Sequence, residues 1–300
     1  MILVTAANGR TGRSVVAALA RRGHNVRAFD IARDLEELRD LGAAQVIVGD
    51  MLNPGDLSRA FEGVRAVIHI GPPLHPREAE MGHLVVAAAR RAGVEHLVQF
   101  SVTHPQLEPL LNHQAKLAVE RVVLMSRMAF TILQPMHYMQ NIDIARVTAS
   151  GVLSQPYDLN TRLAHVDLQD VAEVAALVVT NAEHHHATYE LCGADYLNAH
   201  QLAAVISAES GRLVTAEQVP VADAFRVTRA SSSQRVSEED DFRRDAMVRL
   251  FDHYGRYGIT GNPNVLSWLL GRPPTRFDQY VRRHLTQDSP SSPPRAPAAE

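Results

Sequence analysis

Several things are scarce in this chain, and each scarcity excludes something. Its 300 residues contain one cysteine, Cys192, so no internal disulfide can form. Such usage fits a reducing compartment, and a cytoplasmic location is the expectation. Positive charge is not in surplus: the formal net charge is -3, which removes the global electrostatic case for nucleic acid. No stretch approaches the ~18 uninterrupted apolar residues that a membrane helix needs. Residues 1–22 lack the charged start, apolar core and cleavage site of a signal peptide. Lysine is nearly absent too, since basic charge is arginine throughout except at Lys116. A single surviving ammonium group marks a place where guanidinium would not serve.

What is present describes an ordinary globular protein. Hydrophobic residues make up 46% of the chain, enough for a full core in one large domain or two small ones.

The most informative stretch is the first thirty residues. Ile2, Leu3 and Val4 open a short buried strand, and Ala7-Asn8-Gly9-Arg10-Thr11-Gly12 is a small-residue turn. Residues 13–22 carry Val15, Val16, Leu19 and Ala20 on one helical face. A second strand spans 26–29, and Asp30 stands at its carboxyl end. Glycines let a backbone turn sharply and approach an anion closely. The helix amino terminus offers unpaired N–H groups to a pyrophosphate. An acid after the second strand accepts hydrogen bonds from a ribose diol. The glycine pattern is degenerate, with Ala6 in the first glycine's place; the order of strand, turn, helix, strand and acid carries the reading.

Alternation continues to residue 135. Strands are expected at 45–48, 66–70, 96–100 and 130–133, with helices around 35–41, 56–62, 78–92 and 112–127. This pattern calls for a parallel sheet covered on both faces, with ligands above the carboxyl ends of its strands. Beyond Met136 the rhythm breaks. Helices are expected at 138–150, 170–181, 200–210, 238–254 and 277–285, strands at 189–192 and 214–219, and irregular chain at 152–168. Residues 223–235 are polar and undecided. The expected organisation is a dinucleotide-binding core over 1–135 and a smaller mixed substrate-binding or lid region over 136–287, some of whose elements return to the core. Residues 288–300, rich in Pro, Ser and Ala, form an expected disordered tail.

At this point the chain resembles the NmrA-like branch of the atypical short-chain dehydrogenase/reductases, over roughly residues 1–285. The matches are the Gly9/Gly12 turn, Gly49-Asp50, Gly71-Pro72-Pro73, Asn112-His113-Gln114-Ala115-Lys116 and Thr131-Ile132-Leu133-Gln134-Pro135. Tyr138-Met139-Gln140-Asn141, Asp167-x-x-Asp170-Val171-Ala172 and Gly271-Arg272-Pro273-Pro274 follow in the same order. The resemblance implies an α/β fold, a Rossmann-type doubly wound parallel sheet. It also implies a bound NAD(P) and either reductase activity or a redox-sensing role exercised through a protein partner. Family members reduce quinones, activated alkenes, imines or triarylmethane dyes. The cofactor-binding set that follows is Ala7, Asn8, Gly9, Arg10, Thr11, Gly12, Asp30, Ile31, Arg33, Asp50, Met51, Ile70, Gly71, Pro72, Pro73, Ser101, Lys116, Pro135 and Met136.

The general short-chain mechanism places a tyrosine four residues before a lysine. Lys116 is present, but Asn112 holds the tyrosine position and cannot act as an acid near neutrality. Lys116 is left to hold the nicotinamide ribose. Ser101, at the end of a strand, is placed to donate to a substrate carbonyl or to serve a turn. His137 and Tyr138 are the nearest acids in sequence, and Met136 and Met139 an apolar wall for a flat substrate. Hydride transfer needs no protein nucleophile, so the missing tyrosine leaves an enzyme possible. Asp30 favours NAD, because a 2′-phosphate would meet like charge; Arg33 and Arg10 are the groups that would reach such a phosphate instead. His184-His185-His186 reads as a solvated loop rather than a metal site. The expected acceptor is a small conjugated molecule, and the expected oligomeric state a monomer or homodimer.

Overall fold

The computed structural model describes residues 1–32, 34–223 and 238–287. Arg33, most of the polar segment 223–235 and the 288–300 tail lie outside the described residues.

The first half folds as its periodicity dictates. Strands β1 (Ile2–Thr5), β2 (Val26–Asp30), β3 (Gln45–Val48), β4 (Ala66–His69), β5 (His96–Phe100) and β6 (Ala129–Pro135) alternate with helices. The helices are α1 (Arg10–Arg21), α2 (Glu36–Asp40), α3 (Pro54–Phe61), α4 (Glu78–Arg91) and α5 (Leu111–Met125). Asn53 caps α3, accepting from the N–H groups of Gly55 and Asp56, and Pro54 fits the first helical position, where no N–H is needed.

Beyond β6 the chain runs through β7 (His137–Tyr138), a 3-10 turn (Met139–Asn141), α6 (Ile144–Ser150), β8 (Val152–Gln155), β9 (Leu163–Val166) and α7 (Leu168–Val178). After these come β10 (Ala187–Leu191), β11 (Tyr196–Leu197), α8 (Ala199–Ser210), β12 (Thr215–Gln218), α9 (Glu238–Tyr257), α10 (Asn264–Leu270) and α11 (Phe277–Gln287).

The main sheet has seven strands in the order β10-β6-β5-β4-β1-β2-β3, all parallel. Strand order reverses between β1 and β4, which opens a crevice at their carboxyl ends. Successive strand residues point to opposite faces, and the core divides accordingly. Ile2, Val4, Ala28, Ile68 and Val98 pack under α1 and α7. Leu3, Phe29, Val67 and Leu97 pack under α3, α4 and α5. A third cluster joins Met139, Ile142, Ile144, Leu202, Ile206, Phe277 and Tyr280 from the segment before α6 and from α6, α8 and α11.

Two expectations about the second half change. The helix expected over 138–150 is broken. His137 and Tyr138 pair with His165 and Val166, Met139 drops into the third core, and Asp143 starts α6 afresh by accepting from the N–H of Arg146. The segment 152–168 is not irregular: β8 pairs with β12, and β9 lies between β7 and β11. These strands have two or four residues each, too short for an alternation to register. The strand expected at 189–192 becomes β10, seventh in the main sheet and parallel to β6. Helix α7 packs beside α1 under the same sheet.

The candidate dinucleotide and acceptor site

All seven strands of the main sheet are parallel, so the ends of β1, β2, β4, β5 and β6 deliver their following loops to one edge. After β1, Ala6 takes φ +45°, a left-handed conformation. For a residue with a Cβ that costs roughly 1–2 kcal/mol. The turn is thus the one a glycine would make, held by an alanine. The Gly9 N–H donates to the Ala6 carbonyl at 3.2 Å, and Gly9 becomes the residue before α1. Gly12 cannot be larger: an added Cβ would lie 2.3 Å from the Ala6 carbonyl oxygen and 2.6 Å from Ala7 Cα. This close approach drives the start of α1 against β1. The first-turn N–H groups of Arg10, Thr11 and Gly12 then have no carbonyl one turn back to bond. Gly9 and Arg10 are exposed, so the turn is open to an anion.

Asp30, at the end of β2, faces this turn. One carboxylate oxygen accepts from the Asn8 N–H at 2.9 Å and the other from the Ala32 N–H at 3.0 Å. Ile31 is exposed beside it. Arg10 is engaged elsewhere: it donates to the Gln140 carbonyl (2.6 Å) and to Asn141 Oδ1 (3.0 Å). Among the described residues a guanidinium that reaches this turn is Arg13, bonded to the Asn8 carbonyl and side chain and paired with Glu37. Arg13 is a member of the site's surroundings that sequence reading missed. Asp50 turns its carboxylate onto the N–H of Leu52, and Met51 is half-buried.

The ends of β1 and β4 are laced together. The Ile70 N–H donates to Thr5 Oγ1 at 2.9 Å, and His69 Nδ1 lies 2.8 Å from the same oxygen. Burial, helped by the charge of Lys116, pushes His69 down to about 3. Gly71 is buried, Pro72 half-buried and Pro73 exposed.

Lys116 has a partner that the sequence did not disclose. Its Nζ lies 2.6 Å from Glu78 Oε1, and the two side chains are 12% and 2% exposed. It also donates to the Phe100 carbonyl at 3.4 Å. Burial raises the Glu78 pKa, and Lys116 opposes that shift. The lone lysine is thus tied to a buried carboxylate beneath the loop after β4.

Ser101, at the end of β5, is 5% exposed, and its Oγ has no hydrogen-bond partner among the described residues. Pro135 and Met136 follow at the end of β6. Met136 is buried, not an open wall: a Cβ on Gly261 would lie 2.4 Å from its Cε. Met139 is fully buried in the third core.

The two sequence-nominated acids are poorly set up to give a proton. Tyr138 is hydrogen-bonded to the Thr11 side chain, and burial raises its pKa above the ordinary tyrosine value. His137 Nε2 faces Asn141 Nδ2 at 3.2 Å. Burial, assisted by Arg10, pushes His137 down to about 4. His113 is fully buried, with Nδ1 donating to the His104 carbonyl at 2.9 Å; burial pushes it down to about 4.

The triple histidine is a solvated loop only in part: His186 is exposed and His185 half-buried. His184 is buried against Tyr189 and Trp268, and the His185 ring lies 4.4 Å from that of His96. Among the described residues no cluster of three or more His, Cys, Asp or Glu side chains could hold a metal ion. Among them, too, no helix is long and apolar enough to cross a membrane.

The late family-like motifs meet each other. Asp170 accepts from Arg272 Nη2 (2.8 Å), the Thr275 N–H (2.6 Å) and Thr275 Oγ1 (3.0 Å). Asp167 caps α7 and takes Gln140 Nε2 at 2.7 Å. Arg283 lies 2.7 Å from it. These residues bind the second half of the chain to the α7 side of the sheet.

Comparison with known proteins agrees with this fold. A profile of the NmrA-like family matches residues 1–280. The (4-alkanoyl-5-oxo-2,5-dihydrofuran-3-yl)methyl phosphate reductase of Streptomyces griseus is 32% identical over 297 residues, 97% of this chain and 100% of its own length. The NAD(P)H azoreductase of Xenophilus azovorans is 27% identical over 289 residues, 95% of this chain and 98% of its own. In three dimensions, the crystal structure of an NADPH-dependent quinone oxidoreductase from Escherichia coli, complexed with NADPH, aligns with a TM-score of 0.77 at 25% identity. That alignment covers 95% of this chain and 100% of the other.

Proposed function

Because the chain belongs to the NmrA-like family, we propose that it is an NAD(P)-dependent reductase that passes a hydride to a flat, conjugated small molecule such as a quinone, enone or imine. One observation carries the reading. The start of α1 is pressed against β1 at a glycine that admits no side chain, with unpaired amides above it and the Asp30 carboxylate beside it. That is a cradle for a dinucleotide diphosphate and its adjacent ribose. The relatives named above, reductases of an azo compound, a quinone and an unsaturated lactone phosphate, support the same class.

In this reading Ala7–Gly12 hold the diphosphate, and Asp30 and Ile31 meet the adenosine ribose. Asp50 and Met51 flank the adenine. Ile70–Pro73, Ser101, Lys116, Pro135 and Met136 surround the nicotinamide end. Bound in its reduced form, the cofactor supplies the hydride, and the protein positions the acceptor and excludes water. The Asp30 carboxylate favours NAD over NADP, and among the described residues Arg13 is a positive group that opposes this preference.

Turnover assays with NADH and NADPH against quinones, enones and imines test the proposal. The expected result is acceptor-dependent oxidation of at least one dinucleotide. Tight binding with no turnover of any acceptor would replace it with a non-catalytic redox sensor acting through a protein partner.

A further inference from the structure

The loop after β5 walls a cavity of about 340 Å3, together with the end of α9 and the segment that follows it. His104 and Leu107 face it from the loop, His253 and Tyr257 from α9, and Ile259 from beyond. It lies on the same edge of the sheet as the candidate dinucleotide site. His104 is three residues past Ser101. The Thr103 N–H donates to the Pro135 carbonyl at 3.1 Å, and Gly261 rests on Met136, so both walls are seated on the end of β6.

His104 is unusual within this wall. Its φ is +54°, left-handed for a residue with a side chain. Such backbone strain persists only where the surroundings hold it, and it gathers at functional sites. Here the His104 carbonyl accepts from the Leu107 N–H at 3.1 Å and from the fully buried His113 at 2.9 Å. The ring is aimed as well. Nε2 lies 3.3 Å from Glu190 Oε1 on β10, which leaves Nδ1 as the ring nitrogen that Glu190 does not engage. Histidine is a side chain able to exchange protons in the neutral range, and a carboxylate on one ring nitrogen orients the ring.

We propose that His104, oriented by Glu190, is the proton donor to the acceptor in this cavity, and that the acceptors are carbonyl-conjugated: quinones or enones. The inference rests on the reductase reading above. The acceptor gains two electrons with the hydride, and the dinucleotide is oxidised. Negative charge arrives on the carbonyl oxygen. A new O–H bond forms there as the His104 Nδ1–H bond breaks, and the imidazole regains its proton from water. His104 thereby fills the role left open at Asn112.

The test uses acceptors that differ in their need for a proton. A benzoquinone takes a hydride and a proton, whereas a triarylmethane cation takes a hydride alone. His104→Asn is the primary variant, because asparagine tolerates the left-handed backbone and cannot donate as an acid. Its kcat with the quinone falls by about tenfold or more, toward the ~10²-fold scale of general-acid catalysis, and added imidazole restores part of it. Its kcat with the dye and its dinucleotide affinity, read by fluorescence, stay at wild-type levels. Glu190 is a positioning residue, so Glu190→Gln lowers the quinone kcat with its KM unchanged and leaves the dye kcat at the wild-type level. Unchanged quinone turnover in His104→Asn overturns the proposal, as does an equal loss with both acceptors. A wild type that reduces the dye but no quinone or enone overturns it alone. A wild type that reduces neither overturns the reductase reading as well.

Discussion

At Lys116 the chain spends its one ammonium group on a buried carboxylate, Glu78. Desolvating both charges is costly, and removing either partner leaves the other without compensation. Lys116→Met therefore destabilises the fold by about 3–5 kcal/mol at neutral pH. The deficit depends on pH in a definite direction. Burial holds the Glu78 pKa in the folded protein above its ordinary value of 4.5, and Lys116 pulls it back down. Without Lys116 it rises further. A raised folded pKa stabilises the folded state below the unfolded value and withdraws that stability as pH climbs through the folded value. The gap between variant and wild type is thus widest at pH 7–8 and narrowest near the ordinary carboxylate range, read from urea midpoints across pH. Adding Glu78→Gln to the variant recovers most of the loss. A gap that does not change with pH would contradict a buried Glu78 charge.

Among the elements, α7 shows how a motif becomes a tether. Asp170 stands in the first turn of α7, 1% exposed, and collects Arg272 and two donors of Thr275. Asp170→Ala strands those donors and costs about 3 kcal/mol in chemical denaturation. Its dinucleotide affinity stays near wild type, because Asp170 shares a cleft with Ala18, Arg21 and Arg22, at the end of α1 opposite the Gly9 turn. Loss of binding with unchanged stability would contradict the tether. This pair of motifs was visible in the letters, but their contact was not, since 102 residues separate Asp170 from Arg272. The same division runs through the fold. Strands and helices up to Pro135 were legible because each repeats one period over several residues. The strands β7, β8, β9 and β11 were not: two to four residues carry no period, and unlike the equally short β1, β3 and β4 they lack a regular alternation with helices to mark them. In the site, Gly12 and Asp30 were legible from spacing. Glu78, Arg13, His104 and Glu190 were not, because each acquires its role from a partner distant in sequence: Glu78 from Lys116, Arg13 from Glu37, His104 from Glu190.

The molecule as a whole is a seven-stranded parallel sheet with a core on each face, and its strand order reverses beside the Gly9 turn. The chain beyond β6 does two jobs. It adds β10 and α7 to the sheet's own layers, and it brings α9 and the 258–261 segment over the strand ends. A dinucleotide along this edge would run from Asp30 across the turn toward Ser101 and the His104 cavity. The central claim is that the amino-terminal turn grips its diphosphate. Isothermal titration of the wild type and of Gly12→Val with NADH and NADPH tests it most directly, with circular dichroism to show that the variant is folded. The account predicts saturable heat, one site per chain, with at least one of the two nucleotides for the wild type and none for a folded Gly12→Val. No heat from either nucleotide with the wild type, or undiminished binding by the variant, would contradict it.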